Sequence, residues 1–218
     1  MITTVLYDMD GLLLDTEPLW GKCMLQVAKK HGIPITQEKF KETTGLRIFE
    51  VTDYWAIKYP WQGASAHAIA EEILDEIIAA SKTQASIMKG ALESLQMLHE
   101  NGYKVGLASS SASRMINALI SHFQLKEYFH CITSADEVHY GKPHPAVFLK
   151  CAENLGSSPL QCVVLEDSIN GLIAGKAARM KVVAVPDEAN YHNPKFELAD
   201  HKLKSLEAFD SALLTSLF

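Results

Sequence analysis

The segment Thr3-Thr4-Val5-Leu6-Tyr7-Asp8-Met9-Asp10-Gly11 decides how the rest of the chain is read. Its apolar stretch, Thr3 to Tyr7, reads as a short buried strand, and two carboxylates stand where it stops. Side chains two apart on an extended backbone point the same way, so Asp8 and Asp10 would face one spot at the carboxyl end of that strand. Gly11 then lets the backbone turn sharply with no Cβ penalty. Open α/β sheets bind their ligands at that edge. Two like charges held so close repel unless a cation lies between them or a proton is shared. The pair therefore implies a hard divalent metal, or one carboxylate acting as acid or base. The competing reading is a surface turn, where Asp and Gly are common.

Beyond Gly11, apolar positions recur as Leu19/Trp20, Cys23/Met24, Val27/Ala28 and His31, the spacing of an amphipathic helix, which Gly32 and Pro34 end. A second stripe, Ile69, Ile73 and Ile77 with Leu74 and Ile78, lies within Ser65–Ala80. Between the two run Thr44-Gly45-Leu46-Arg47 and an aromatic patch of Tyr54, Trp55, Tyr59 and Trp61. No stretch from Thr16 to Thr83 reads as a buried strand, which predicts an all-helical insert over residues 16–83. From Lys89-Gly90 onward helix and strand alternate. Helices are expected at Ala91–Glu100, Arg114–Phe123, Pro145–Leu155 and Leu172–Met180, with strands at Lys104–Ala108, Cys131–Thr133, Cys162–Leu165 and Val182–Val185. That alternation predicts an α/β, Rossmann-like core: a parallel sheet covered on both faces, built from residues 1–15 and 84–218.

The chain has 218 residues, room for one good core and an inserted subdomain. Its formal charge is 20 − 26 = −6, with no basic run or basic–aromatic interleaving, which argues against a nucleic-acid partner. Cys23, Cys131, Cys151 and Cys162 form no C-x-x-C pair and read as reduced thiols, and the nine histidines show no metal-binding spacing. No signal peptide precedes the first strand and no apolar run is long enough to span a bilayer, so a soluble cytoplasmic protein without a membrane partner is expected. The sequence sets no oligomeric state, and a monomer is compatible with it.

The far ends of the expected strands carry the polar residues. They are Asp8 and Asp10, then Ser109-Ser110-Ser111, then Gly141-Lys142-Pro143, then Glu166-Asp167-Ser168. Each has an ordinary explanation, Ser as a helix cap or Glu-Asp as a complement to a helix dipole, but all fall on one edge of one sheet. The chemistry that suits the set is phosphoryl transfer. Asp8 can attack phosphorus, and Asp10 can protonate the leaving oxygen and then deprotonate water. Lys142 and the Ser109 hydroxyl supply fixed positive charge and donors, with Mg²⁺ on Asp8 and Asp167 completing the clamp.

Asp8-x-Asp10-Gly11, Ser109, Lys142-Pro143 and Glu166-Asp167-Ser168-x-x-Gly171, in that order, resemble the four motifs of the haloacid dehalogenase-like hydrolases. The helical insert looks like the cap of the β-phosphoglucomutase-like subgroup. Asp15-Thr16-Glu17-Pro18-Leu19-Trp20 and Thr44-Gly45-Leu46-Arg47 are similar to sugar-phosphate phosphatases active on 2-deoxyglucose 6-phosphate and hexitol phosphates. The resemblance implies Asp8 as nucleophile, Asp10 as acid/base, and phosphate held by Ser109, Ser110 and Lys142. It also implies Mg²⁺ bound by Asp8, the Asp10 backbone carbonyl and Asp167, with Glu166 in or beside that set. One departure is Ala146, where relatives often carry Asp. Glu17, Trp20, Thr44, Leu46 and Arg47 are the candidate specificity residues. An Arg after a Thr-Gly turn can aim its planar fork at substrate oxygens, whereas Trp20 also fits core packing. His139 and His144 read as loop residues.

Two other readings share these motifs. A β-phosphoglucomutase-like mutase would also pass through a phosphoaspartate, but those enzymes carry a cap histidine where this chain has Trp20. A non-enzymatic sugar-phosphate binding protein would be expected to lack a nucleophile or a metal carboxylate, and none is missing. A true dehalogenase needs neither Asp10 nor the metal.

Overall fold

The computed structural model describes residues 1–43 and 46–217. Thr44, one of the candidate specificity residues, lies outside them. Six strands form one parallel sheet in the order β3-β2-β1-β4-β5-β6. They are β1 (Thr4–Tyr7), β2 (Lys104–Ser109), β3 (Cys131–Ser134), β4 (Cys162–Glu166), β5 (Lys181–Ala184) and β6 (His201–Lys202). The order reverses around β1, which lies between β2 and β4. Ligands of open α/β sheets bind in the crevice at such a point.

Side-chain alternation along the strands divides the core in two. Val5, Tyr7, Val105, Leu107, Val163 and Leu165 face one side. There they meet Leu95 and Leu98 of α5 (Ala91–Glu100) and Met115, Ile116 and Leu119 of α6 (Ser113–His122). Leu6, Ala108, Val164 and Val182 face the other side, against Val147, Phe148 and Cys151 of α7 (Ala146–Asn154) and Leu172 of α8 (Ile169–Ala177). Both faces are covered, which is why the central strands are continuous apolar runs.

Between β1 and α5 the described residues hold helices and no strand: α1 (Glu17–Lys30), α2 (Gln37–Phe40), α3 (Ile48–Lys58) and α4 (Ala66–Gln84). The α4 stripe of Ile69, Ile73, Leu74 and Ile77 is buried against α1 and α3. Tyr54 and Trp55 of the aromatic patch lie in α3, whose buried Ile48, Val51, Thr52 and Trp55 follow helical spacing, and Tyr59 caps its end. Where the chain leaves and re-enters the sheet domain, the two crossings pair: Asp15 N–H donates to Ser86 O at 2.9 Å and Met88 N–H to Leu13 O at 3.0 Å.

Two expectations need correction. Helix α8 begins at Ile169 rather than Leu172, because the Ser168 hydroxyl accepts from Gly171 N–H and caps it there. Strand β6 has no counterpart in the sequence reading; it is two polar residues at a sheet edge, with no apolar run to announce it. No helix among the described residues is long and apolar enough to cross a membrane.

Ile73 is fully buried at the meeting of α1, α3 and α4. Ile73→Ala should therefore lower unfolding free energy by about 2–5 kcal/mol, measured by urea denaturation. An unchanged midpoint would show that this helical layer adds nothing to the cooperative fold.

Candidate active site

Register brings the site together. Tyr7 pairs with Leu107 on one side and Leu165 on the other, so the next residues, Asp8, Ala108 and Glu166, are level where the strands end. Gly11 turns the chain away at φ +78°, and a side chain there would overlap the Asp167 carboxylate. Lys142 arrives from the loop after β3 and is 6% exposed. Its ammonium donates to Asp8 Oδ1 at 2.5 Å and Glu166 Oε1 at 2.6 Å and lies 4.5 Å from the centre of the Phe148 ring. Burial alone would lower the Lys142 pKa, but the two carboxylates outweigh it and keep the amine charged.

The acids outnumber that one cation. Oxygens of Asp8, Glu166 and Asp167 lie within 4.8 Å of one another. Burial pushes the Asp8 carboxyl up to about 8; Lys142 pulls against this, while Glu166 and Asp10 add to it. Asp167 is also raised well above its ordinary value, by burial and then by Glu166, Asp8 and Glu17. Three oxygen donors with surplus negative charge fit a hard divalent cation, which would relieve the repulsion. Glu166 is itself fixed in place: its Oε2 accepts from the Ser168 backbone and hydroxyl, both at 2.9 Å, and its carboxylate lies against Gly171.

Asp10 is fixed separately. Its Oδ1 accepts from the Thr16 hydroxyl at 2.6 Å and the Trp20 indole N–H at 3.1 Å, and its Oδ2 from the Ser111 hydroxyl at 2.6 Å. The parts of Thr16 and Ser111, and this use of Trp20, went unread in the sequence. They depend on side chains meeting across a turn and across strands, which no local spacing encodes. Ser109 to Ser111 do not cap α6, whose N-cap is Ala112. The Ser109 hydroxyl is buried and accepts from Ser111 N–H at 3.1 Å, and Ser110 lines the same cavity.

That cavity has a volume of about 540 Å³, within the range of small-molecule sites. Asp8, Asp10, Ser109, Ser110, Lys142, Glu166 and Asp167 form its floor, and Glu17, Trp20, Leu46 and Arg47 line it from the inserted helices. Burial pushes the Glu17 carboxyl up to about 7, reinforced by the charges of Asp10, Glu166 and Asp187. The fork of Arg47 donates to the carbonyls of Ala135 at 3.1 Å, Val138 at 3.2 Å and His139 at 3.2 Å and pairs with Glu50 at 2.5 Å. His139 meets Arg47 only through its carbonyl, and His144 accepts from Ala146 N–H. Asp187, Asn190 and Lys195, from the segment after β5, also line the cavity and were not anticipated. Their only signal was position after a strand end.

A sequence profile described as haloacid dehalogenase-like hydrolase matches residues 5–185. Hexitol phosphatase B of Escherichia coli is 41% identical over 206 residues, 94% of this chain and 93% of the relative. A fructose-1-phosphate phosphatase of the same organism is 30% identical over 188 residues, 83% and 95% of the two chains. A β-phosphoglucomutase structure from Clostridium difficile superposes with a TM-score of 0.84 at 24% identity, covering 100% of this chain and 97% of that one; this likeness concerns the fold.

The contact of Glu166 with Gly171 yields a test of sign. Helix propensity alone predicts that Gly171→Ala stabilises α8 by about 1 kcal/mol. The added methyl would overlap the Glu166 carboxylate, so the variant should instead be destabilised by about 1–3 kcal/mol, read from its denaturation midpoint. A stabilised variant would mean that Glu166 is not held as described.

Proposed function

The chain belongs to the haloacid dehalogenase-like hydrolases, and from that premise we propose that it is a Mg²⁺-dependent phosphatase of small sugar phosphates, with residues 16–83 acting as a cap over the core of residues 1–15 and 84–218. The observation that carries this reading is the pairing of Asp8, held by buried Lys142, with an independently positioned Asp10 at the floor of one cavity.

The residues divide the work. Lys142 holds Asp8 Oδ1, and no donor among the described residues engages Oδ2, which is the oxygen available to attack phosphorus. As the phosphorus–oxygen bond to the sugar breaks, Asp10 delivers a proton to the departing oxygen. It then takes one from the water that attacks the aspartyl-phosphate, releasing inorganic phosphate and restoring Asp8. Ser109, Ser110 and Lys142 surround the transferring group with donors and positive charge. Asp8 and Asp167, with Glu166 beside them and the Asp10 carbonyl, would hold Mg²⁺, which would draw charge from the phosphoryl oxygens.

Likeness to hexitol phosphatase B supports hexitol phosphates as substrates, and the motifs at residues 15–20 and Leu46-Arg47 extend the proposal to hexose 6-phosphates, 2-deoxyglucose 6-phosphate among them. A mutase must grip a second phosphate. Among the described residues lining the cavity the cations are Lys142, Arg47 and Lys195; the first is taken by the acids and the second by backbone carbonyls. Only Lys195, on the rim, is left, and Trp20 stands on Asp10. This favours a monophosphate and water over a bisphosphate.

Asp8→Asn should reduce phosphate release from these sugars to background with the fold intact by circular dichroism. Asp10→Asn should slow it about 10²–10⁴-fold. Wild-type-like rates in either variant would remove that residue from its role. Chelation should stop turnover and Mg²⁺ restore it, whereas full activity in excess chelator would refute the metal requirement. With β-glucose 1-phosphate and a trace of the bisphosphate, free phosphate should accumulate. Faster formation of glucose 6-phosphate would establish the mutase instead.

A further inference from the structure

Arg47 opens α3, and its backbone N–H donates to Glu50 Oε2 at 3.0 Å, so its position at the head of that helix is fixed. Its side chain keeps one bond to Glu50 of the same helix and otherwise reaches out of the inserted helices. The carbonyls of Ala135, Val138 and His139 that it reads belong to one turn following β3. Three acceptors converging on one planar fork is a geometry that an ammonium cannot reproduce.

That turn touches both halves of the catalytic floor. Immediately before it, the Ser134 hydroxyl donates to the carbonyl of Ser111, the residue whose hydroxyl holds Asp10. Within it, Asp136 Oδ2 accepts from Ser113 N–H at 2.8 Å. Two residues beyond His139 comes Gly141, against which the Arg47 stem packs; an added Cβ would be 3.2 Å from Arg47 Cγ. The next residue is Lys142. A second bridge between helices and core, Arg114 to Glu71 and Asp75, is exposed and contributes little. Arg47 has a side chain 21% exposed and donates mainly to carbonyls, so salt screens its contacts less.

We propose that Arg47 is a latch that fastens the inserted helices to the turn carrying Lys142, a positioning residue for the reaction rather than a ligand of the substrate. Its kinetic consequence rests on the phosphatase reading; its structural consequence does not. If the latch seats Lys142, its loss impairs every phosphate ester alike, whatever is attached to the phosphorus. If Arg47 instead bound the sugar, its loss would raise KM for sugar phosphates and spare a small aryl phosphate.

The test compares wild type, Arg47→Ala and Arg47→Lys with 2-deoxyglucose 6-phosphate and with p-nitrophenyl phosphate, alongside hydrogen exchange in the peptide spanning residues 134–144. The latch predicts that kcat/KM falls by a similar factor on both substrates, between about tenfold and a hundredfold. It also predicts faster exchange across that peptide and no rescue by Lys. Melting curves report whether Arg47→Ala is folded; if it is not, Arg47→Lys, which keeps the stem on Gly141, carries the same comparison. A loss confined to KM for the sugar phosphate, full rescue by Lys, or unchanged exchange would overturn the proposal. A wild type inactive on both substrates would refute the phosphatase reading alone, and the exchange measurement would still decide the latch.

Discussion

A lysine buried between two carboxylates sets the terms for the rest of this structure. Placing Lys142 at the floor of the sheet is tolerable only because Asp8 and Glu166 both accept from it. Removing one partner of such a pair leaves an uncompensated buried charge, worth about 3–5 kcal/mol. The sheet is built to meet that demand. Parallel pairing of β1 with β4 brings Asp8 level with Glu166, and the Ser168 cap at the start of α8 turns Glu166 back toward the amine. Gly171 leaves room for its carboxylate. Adding Asp167 gives three acids against one ammonium, and the imbalance is what makes the place suited to a divalent cation.

The second constraint is that Asp10 answers to different neighbours from Asp8. Although the two are only two residues apart, one is tied to a lysine from the loop after the edge strand β3. The other is tied to Thr16 and Trp20 at the start of the inserted helices and to Ser111 beyond β2. The nucleophile and acid/base roles proposed for them need distinct surroundings, and each carboxylate has its own hydrogen-bond partners. It follows that the inserted helices do more than roof the cavity. Trp20 and Thr16 help aim Asp10, and Arg47 grips the turn that leads into Lys142.

Much of this was legible in the sequence because it follows from chain-local rules. Short continuous apolar runs for the strands, helix stripes at three and four residues, and Asn-Gly or Gly stops gave the alternating core and the helical insert. Polar residues falling after successive strands gave the floor of the site, since parallel strands must end on one edge. What escaped depends on side chains meeting across distance. Trp20 read either as pocket or as core, and its indole bond to Asp10 belongs to neither description. Arg47 offered a fork with no indication of its acceptors, because backbone carbonyls of a turn leave no mark in the sequence. Ser111 looked like a cap residue until Ala112 took that place. Asp187, Asn190 and Lys195 follow β5 in a segment whose return to the cavity only the fold determines.

The account turns on Asp8 receiving the phosphoryl group, and that event can be observed directly. Acid quenching during turnover of 2-deoxyglucose 6-phosphate with Mg²⁺, followed by digestion and mass spectrometry, reports which residue carries the group. The account predicts a mass gain of one phosphoryl unit on the peptide containing Asp8, absent from Asp8→Asn and lost when substrate is exhausted. Steady release of inorganic phosphate with no such adduct, or with the adduct on another residue, would contradict it.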